Sequence, residues 1–301
     1  MATHDAPRAK PFAAYVELTK PRILTMVLVT ATLGYALPHG TLAPYGVFLW
    51  MLLGTGLSSG GAGALNHFIE RETDTLMERT KNRPLPSGAV PPVLALALGI
   101  AMSVAGVGLL TVFVNPLAAM LSALTIVLYT VVYTPLKKVS WLNTPVGAVP
   151  GAIPPLIGWA AADNRLGPGA WVLFAILFFW QHPHFYAIAW MFREDYARGG
   201  FKMLPTVDST GRASLRQAWA AALILIPVSL CPTFLHLTGW LYFAGAFALG
   251  LWFLSACVRW RITESMIDAR RVLRVSVIYF PGLLFLILLD AIFTSLTGYT
   301  A

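Results

Sequence analysis

The chain has 301 residues, of which 57% are hydrophobic and only 11% charged, with a formal net charge of +8. Soluble proteins carry roughly 25% charged residues, and one core could not hide this much apolar surface; a bilayer can, because it is itself an apolar solvent. Composition therefore excludes a soluble enzyme and predicts an integral membrane protein.

Intervals between charges predict the elements. After a mixed polar segment, 1–21, no charge occurs from Ile23 to Ile69, from Pro84 to Leu136, or from Gln217 to Val258. Each interval holds two spans at roughly 20 residues apiece. Each breaks at a hairpin signal: Pro38-His39-Gly40, Asn115-Pro116 and His236-Leu237-Thr238-Gly239. Val139–Ala162, Leu166–Phe192 and Val275–Ala301 fit one span each. The expectation is an all-α bundle of about nine transmembrane helices forming a single domain over 1–301. An outer-membrane barrel would need alternating ten-residue segments instead.

Twenty of the 21 basic residues fall in the N-terminal segment or in the loops after helices 2, 4, 6 and 8; Arg165 alone falls on the other side. The positive-inside rule then makes the N-terminus cytoplasmic. Topology accounts for the positive charge, so no nucleic-acid partner is needed. No cleavable signal is recognisable before Ile23. Cys231 and Cys257 lie in apolar spans without metal-ligand spacing. Asp290, alone in the last span near its outer end, reads as an interfacial, solvated charge.

Two loops on the basic side mix acids with bases. The first runs from Asn66 to Pro86. If helix 2 continues through it, Asn66, Glu70 and Asp74 share one face, each step of four turning about 40° past a full circle. Glu72 points away. Three oxygen donors in a row suit a hard divalent cation such as Mg²⁺, which completes its shell with water and substrate phosphates. Arg79, Lys81 and Arg83 supply positive partners for those phosphates. The second loop runs from His182 through Glu194-Asp195-Tyr196 to Lys202-Met203-Leu204-Pro205, a weak echo of the first. It suggests two acidic helix ends facing each other across one cavity.

Four segments carry a resemblance: Glu17–Arg22, Asn66–Pro86, Tyr129–Trp159, and Trp180-Gln181-His182-Pro183-His184-Phe185 through Asp195-Tyr196 to Pro205. Together they resemble the intramembrane prenyltransferase superfamily and, within it, the protoheme IX farnesyltransferase (haem O synthase) family. The resemblance implies nine helices and two acidic motifs that bind Mg²⁺ and diphosphate. It implies farnesyl transfer from farnesyl diphosphate to haem b, giving haem O and diphosphate at the cytoplasmic side of a bacterial inner membrane. A downstream haem-pathway or oxidase-assembly protein is an implied partner.

By resemblance, Asn66, Glu70, Asp74 and Asp195 are catalytic, and Glu194 joins them as a metal ligand. Lys20, Arg22, Arg79, Lys81, Arg83 and Lys202 bind diphosphate, and His182 and His184 contact haem. The family usually has Asp at the position of Glu70, and the second motif lacks the regularly spaced aspartates of quinone-pathway relatives. The final proton goes to a base such as His184 or to departing diphosphate. Two other readings are a prenyltransferase acting on a quinone or chlorophyll precursor, and a secondary transporter, whose acids would lie at the bilayer midplane.

Overall fold

The computed structural model describes residues 11–208 and 210–297. Arg8 and Lys10, counted above for orientation, and the last four residues of the predicted final span lie outside the described residues. Every described element is helical.

The membrane helices, in order, are α1 (Pro21–Ala36), α2 (Tyr45–Asp74), α3 (Pro92–Phe113), α4 (Pro116–Val139), α5 (Asn143–Asp163), α6 (Pro168–Met191), α7 (Arg212–Phe234), α8 (Trp240–Thr263) and α9 (Met266–Thr297). Eight are long and apolar enough to cross a membrane; α1, with 16 residues, is the shorter ninth. At 1.5 Å per residue α1 rises roughly 24 Å, a little less than a bilayer core of about 30 Å. The three hairpin signals fall between helices as predicted. Proline opens α1, α3, α4 and α6 at the first or second position, where its missing N–H is an orphan in any case.

Side chains sort by solvent as a bilayer demands. Val104, Val112, Ile262, Leu288 and Leu296 stand exposed on outward faces, where lipid rather than water covers them. Inside, one apolar cluster joins α6 to α9 and another joins α1, α2, α4, α5 and α6. Close approach depends on glycine at the α1–α5 crossing. A Cβ on Gly158 would overlap the Ala31 carbonyl oxygen, and one on Gly34 the Pro155 carbonyl oxygen. Between α1, α5, α6, α8 and α9 lies a narrow apolar crevice of about 20 Å³, lined among others by Thr30, Leu33, Leu177 and Phe280.

Asp290 corrects one expectation. It is 4% exposed rather than solvated, and its carboxylate accepts the backbone N–H groups of Gly239 and of Tyr242, the latter at 3.1 Å. It caps the start of α8, where otherwise unpaired N–H groups and the helix dipole favour an anion.

Candidate active site

Helix α2 does continue through the first acidic stretch, ending at Asp74. Asn66, Glu70 and Asp74 lie on its buried face at 0%, 5% and 0% exposure, while Glu72 is exposed and paired with Arg71. Three buried oxygen-bearing side chains require partners, and three other segments supply them. Lys20, just before α1, donates to Asn66 Oδ1 and to the Tyr129 hydroxyl. Lys137, in the last turn of α4, donates to Glu70 at 2.7 Å. Arg83 closes on both oxygens of Asp74 at 2.9 Å. Burial, the dominant influence, pulls the Lys20 ammonium down to about 7; Glu70 opposes this, while Lys137 and Arg83 reinforce it.

The row of acids is thus matched by Lys20, Lys137 and Arg83. Lys20 and Arg83 are among the predicted diphosphate residues; Lys137 is not. Its place beside Lys138 reads as topology alone. The available signal was spacing: Tyr129, Tyr133 and Lys137 repeat at intervals of four, as Asn66, Glu70 and Asp74 do. The Lys137 ammonium also lies 4.5 Å from the Tyr133 ring centroid. A π-helical turn, Leu128–Tyr133, interrupts α4 and carries both tyrosines, the Tyr129 hydroxyl meeting Lys20 and the Tyr133 ring lying against Gly147 of α5.

The loop after α2 folds back over this helix end. The Thr80 hydroxyl donates to the Asp74 carbonyl at 3.0 Å. Asp195, in the short helix Arg193–Arg198 after α6, accepts the backbone N–H groups of Glu78 at 2.9 Å and Arg79 at 3.2 Å, and pairs with Arg198. Burial alone would raise its carboxyl, but the Arg198 guanidinium and these two N–H groups hold it below the ordinary range. The second acidic helix end therefore reaches the loop after α2, with Asp195 acting as a clamp on that loop's backbone. The segment beyond it is tied to α4 and α5: the Lys202 N–H donates to the Lys137 carbonyl at 2.7 Å, and Asn143 donates to the Lys202 carbonyl at 3.0 Å.

Other predicted residues stand further out. Arg22, Lys202 and Glu194 are exposed. Lys81 pairs with Glu78 on the surface, and Arg79 lies over the Phe192 and Tyr196 rings. His182 and His184 are both in α6, but a step of two residues turns about 200° and separates them. The His182 Nδ1 bonds the Phe178 carbonyl at 2.6 Å. That acceptor requires the proton on Nδ1 and leaves the lone pair on Nε2. His184 stacks on Trp180 and bonds the Ser276 hydroxyl at 2.8 Å. The Ser276 proton goes to the Leu273 carbonyl, so the His184 Nδ1 donates and its Nε2 is likewise left unprotonated.

Among the described residues, no group of three or more His, Cys, Asp or Glu side chains converges as a metal site. The donors on α2 are two carboxylates and an amide oxygen. This hard-oxygen set fits Mg²⁺, which takes one or two carboxylates and leaves the remaining positions to water and phosphate oxygens. Lys20, Lys137 and Arg83 beside these donors are groups with which phosphate oxygens can pair.

Residues 27–294 match the UbiA prenyltransferase family. The protoheme IX farnesyltransferase of Solibacter usitatus (strain Ellin6076) is 47% identical over 285 residues, covering 92% of this chain and 98% of that protein. Those of Salinibacter ruber and Opitutus terrae are 46% and 40% identical, covering 92% and 97% of this chain and 98% and 99% of their own lengths. A solved structure described for digeranylgeranylglyceryl phosphate synthase in membranes superposes with a TM-score of 0.80 at 18% identity, covering 94% of this chain and 99% of that one. A UbiA homolog from Archaeoglobus fulgidus bound to GPP and Mg²⁺ gives 0.67 at 14% identity, covering 91% and 99%. The structural likeness establishes a shared fold, and the family match over most of the chain establishes kinship: this chain belongs to the UbiA prenyltransferase family.

Proposed function

We propose that the protein transfers the farnesyl group of farnesyl diphosphate to a vinyl group of haem b, with addition of water, giving haem O and diphosphate. The observation that carries this reading is the 47% identity to a protoheme IX farnesyltransferase over nearly its whole length. The site is compatible with the chemistry. Asn66, Glu70 and Asp74 would hold Mg²⁺, and Lys20, Lys137 and Arg83 would turn from the acids towards the diphosphate oxygens. The bound ion would supply Lewis-acid stabilisation of the departing diphosphate.

The chain's own residues do the rest. The basic groups stabilise negative charge as the C–O bond to the farnesyl group breaks. The apolar crevice begins near Thr30, about 15 Å along α1 from Lys20 at 1.5 Å per residue. At about 20 Å³ it would have to open between the helices to admit the prenyl tail, and its apolar lining would then shield the allylic cation from water. The haem vinyl carbon bonds to that cation, positive charge moves next to the porphyrin, and water captures it with loss of one proton. His182 and His184 each present an unprotonated Nε2, suited to iron ligation or to accepting that proton. Asp195 positions the loop that carries Arg79 and Arg83. We place the protein in a bacterial inner membrane with this site on the cytoplasmic side, as the charge distribution favours.

The test incubates purified protein with Mg²⁺, farnesyl diphosphate and haem b and identifies products by mass. Haem O is expected, and it should vanish on chelation and in Glu70→Gln and Asp74→Asn. Prenylation of an added quinone precursor with haem b untouched would overturn the acceptor assignment. Normal turnover of both variants at limiting Mg²⁺ would overturn the metal assignment.

A further inference from the structure

The two ends of the Asn66 amide differ chemically: its oxygen can ligate a cation or accept from an ammonium, whereas its NH₂ can do neither. Nothing within Asn66 selects which end faces the pocket; the selection comes from α4. Its π-helical turn brings the backbone N–H of Thr134 to the Tyr129 carbonyl, five residues back. The Thr134 hydroxyl donates to the same carbonyl at 2.8 Å. A hydroxyl has one proton. With that proton committed, the Thr134 oxygen can only accept, and it accepts from Asn66 Nδ2 at 2.9 Å. On the other side the Lys20 ammonium, a donor without acceptor capacity, meets Asn66 Oδ1. Both neighbours impose one orientation. Thr134 is 2% exposed and Asn66 fully buried, so no bulk water compensates a flipped amide.

We propose that Thr134 is a positioning residue for the transfer reaction, holding the Asn66 carbonyl oxygen towards Lys20 and the Mg²⁺ site proposed above for Asn66, Glu70 and Asp74. The inference rests on the reading of Asn66 as a metal ligand. In a flipped amide, NH₂ faces the cations and the carbonyl oxygen faces a hydroxyl with no proton to give. In the π-helical turn the carbonyl that takes the Thr134 proton lies five residues back, where Thr125 and Thr130 of the same helix use the one four back.

Thr134→Val keeps the side-chain shape and removes the hydroxyl. Mn²⁺ binding to purified protein without prenyl donor, followed by the electron paramagnetic resonance of free Mn²⁺, should weaken about tenfold, the size expected for one lost hydrogen bond. The Mg²⁺ concentration for half-maximal transfer should rise in parallel, while kcat at saturating metal stays within about twofold by the same reasoning. Thr134→Ser should retain parental binding. In an Asn66→Asp background the two oxygens are equivalent and there is no orientation left to set, so Thr134→Val should not weaken Mn²⁺ binding there. An equal loss in both backgrounds would mark Thr134 as packing alone and overturn the inference. Parental Mn²⁺ binding in Thr134→Val, beside weakened binding in Asn66→Ala, would overturn it while leaving the metal reading intact. Unchanged binding in Asn66→Ala would overturn that reading and the inference with it. Thr134→Ala serves for the same cycle if the valine variant does not accumulate folded.

Discussion

Lys137 and Glu70 form a buried pair at 2.7 Å with side chains 13% and 6% exposed. Removing one member of such a pair leaves the other buried and uncompensated, at about 3–5 kcal/mol. Lys137→Met should therefore lower the denaturation midpoint in detergent clearly, and adding Glu70→Gln should restore most of it. Neither variant should transfer farnesyl. A parental midpoint in Lys137→Met would show that Glu70 does not depend on this partner. Asp195 tests a different role. Its carboxyl lies below the ordinary 3.8 in the folded protein, so its contribution is present above that value and is lost only as pH falls through the still lower folded one. The clamp is thus closed throughout the neutral range. Asp195→Asn, which weakens the grip on the Glu78 and Arg79 N–H groups, should accelerate proteolytic nicking between Glu78 and Arg83 at neutral pH. Unchanged nicking would remove the clamp from the account.

The elements meet through small residues as well as large ones. Helices α1 and α5 cross where Gly34 and Gly158 leave no room for a Cβ, and the atoms in the way are backbone carbonyls, which cannot rotate aside. Overpacking typically destabilises by about 1–3 kcal/mol, and rigid obstacles put Gly158→Ala at the upper end. Gly108, in α3, has open space where its Cβ would go, so Gly108→Ala should be neutral or gain about 0.5–1 kcal/mol from helix propensity. Chemical denaturation of the two variants in one detergent makes the comparison; equal midpoints would deny the α1–α5 crossing. The break in α4 carries information too. Its six-residue π turn is invisible to apolar counting, since Leu128–Tyr133 reads simply as more span. It decides which way Tyr129, Tyr133 and Thr134 face.

At the level of the whole molecule, the contacts between loops place one end of the bundle. Lys20 reaches α2, Asp195 reaches the loop after α2, and Arg212 pairs with Glu264 at 3.0 Å. The loops after helices 2, 6 and 8 and Lys20 therefore share a side, and Arg165 stands exposed at the other beside Asp163. Single cysteines at Lys81, Lys202 and Arg270 should be labelled by an impermeant thiol reagent only from the cytoplasm, and one at Arg165 only from outside. Labelling at Lys81 from outside would reverse the orientation.

The sequence by itself determined the spans, their breaks and the shared face of Asn66, Glu70 and Asp74. These follow from local rules: the length needed to cross hydrocarbon, the turn propensity of Pro and Gly, and the 3.6-residue period. Only the tertiary structure decided the partners. Lys137 is 67 residues from Glu70, Thr134 is 68 from Asn66, and Asp290 is 51 from Gly239. Asp290 looked like a solvated interfacial charge because its neighbours in sequence are apolar, and it is instead buried on the N–H groups of another helix. A charge in a span announces that it needs a partner, since burial without one is too costly. Which partner it finds depends on how the helices pack, and no periodicity within a single helix encodes that.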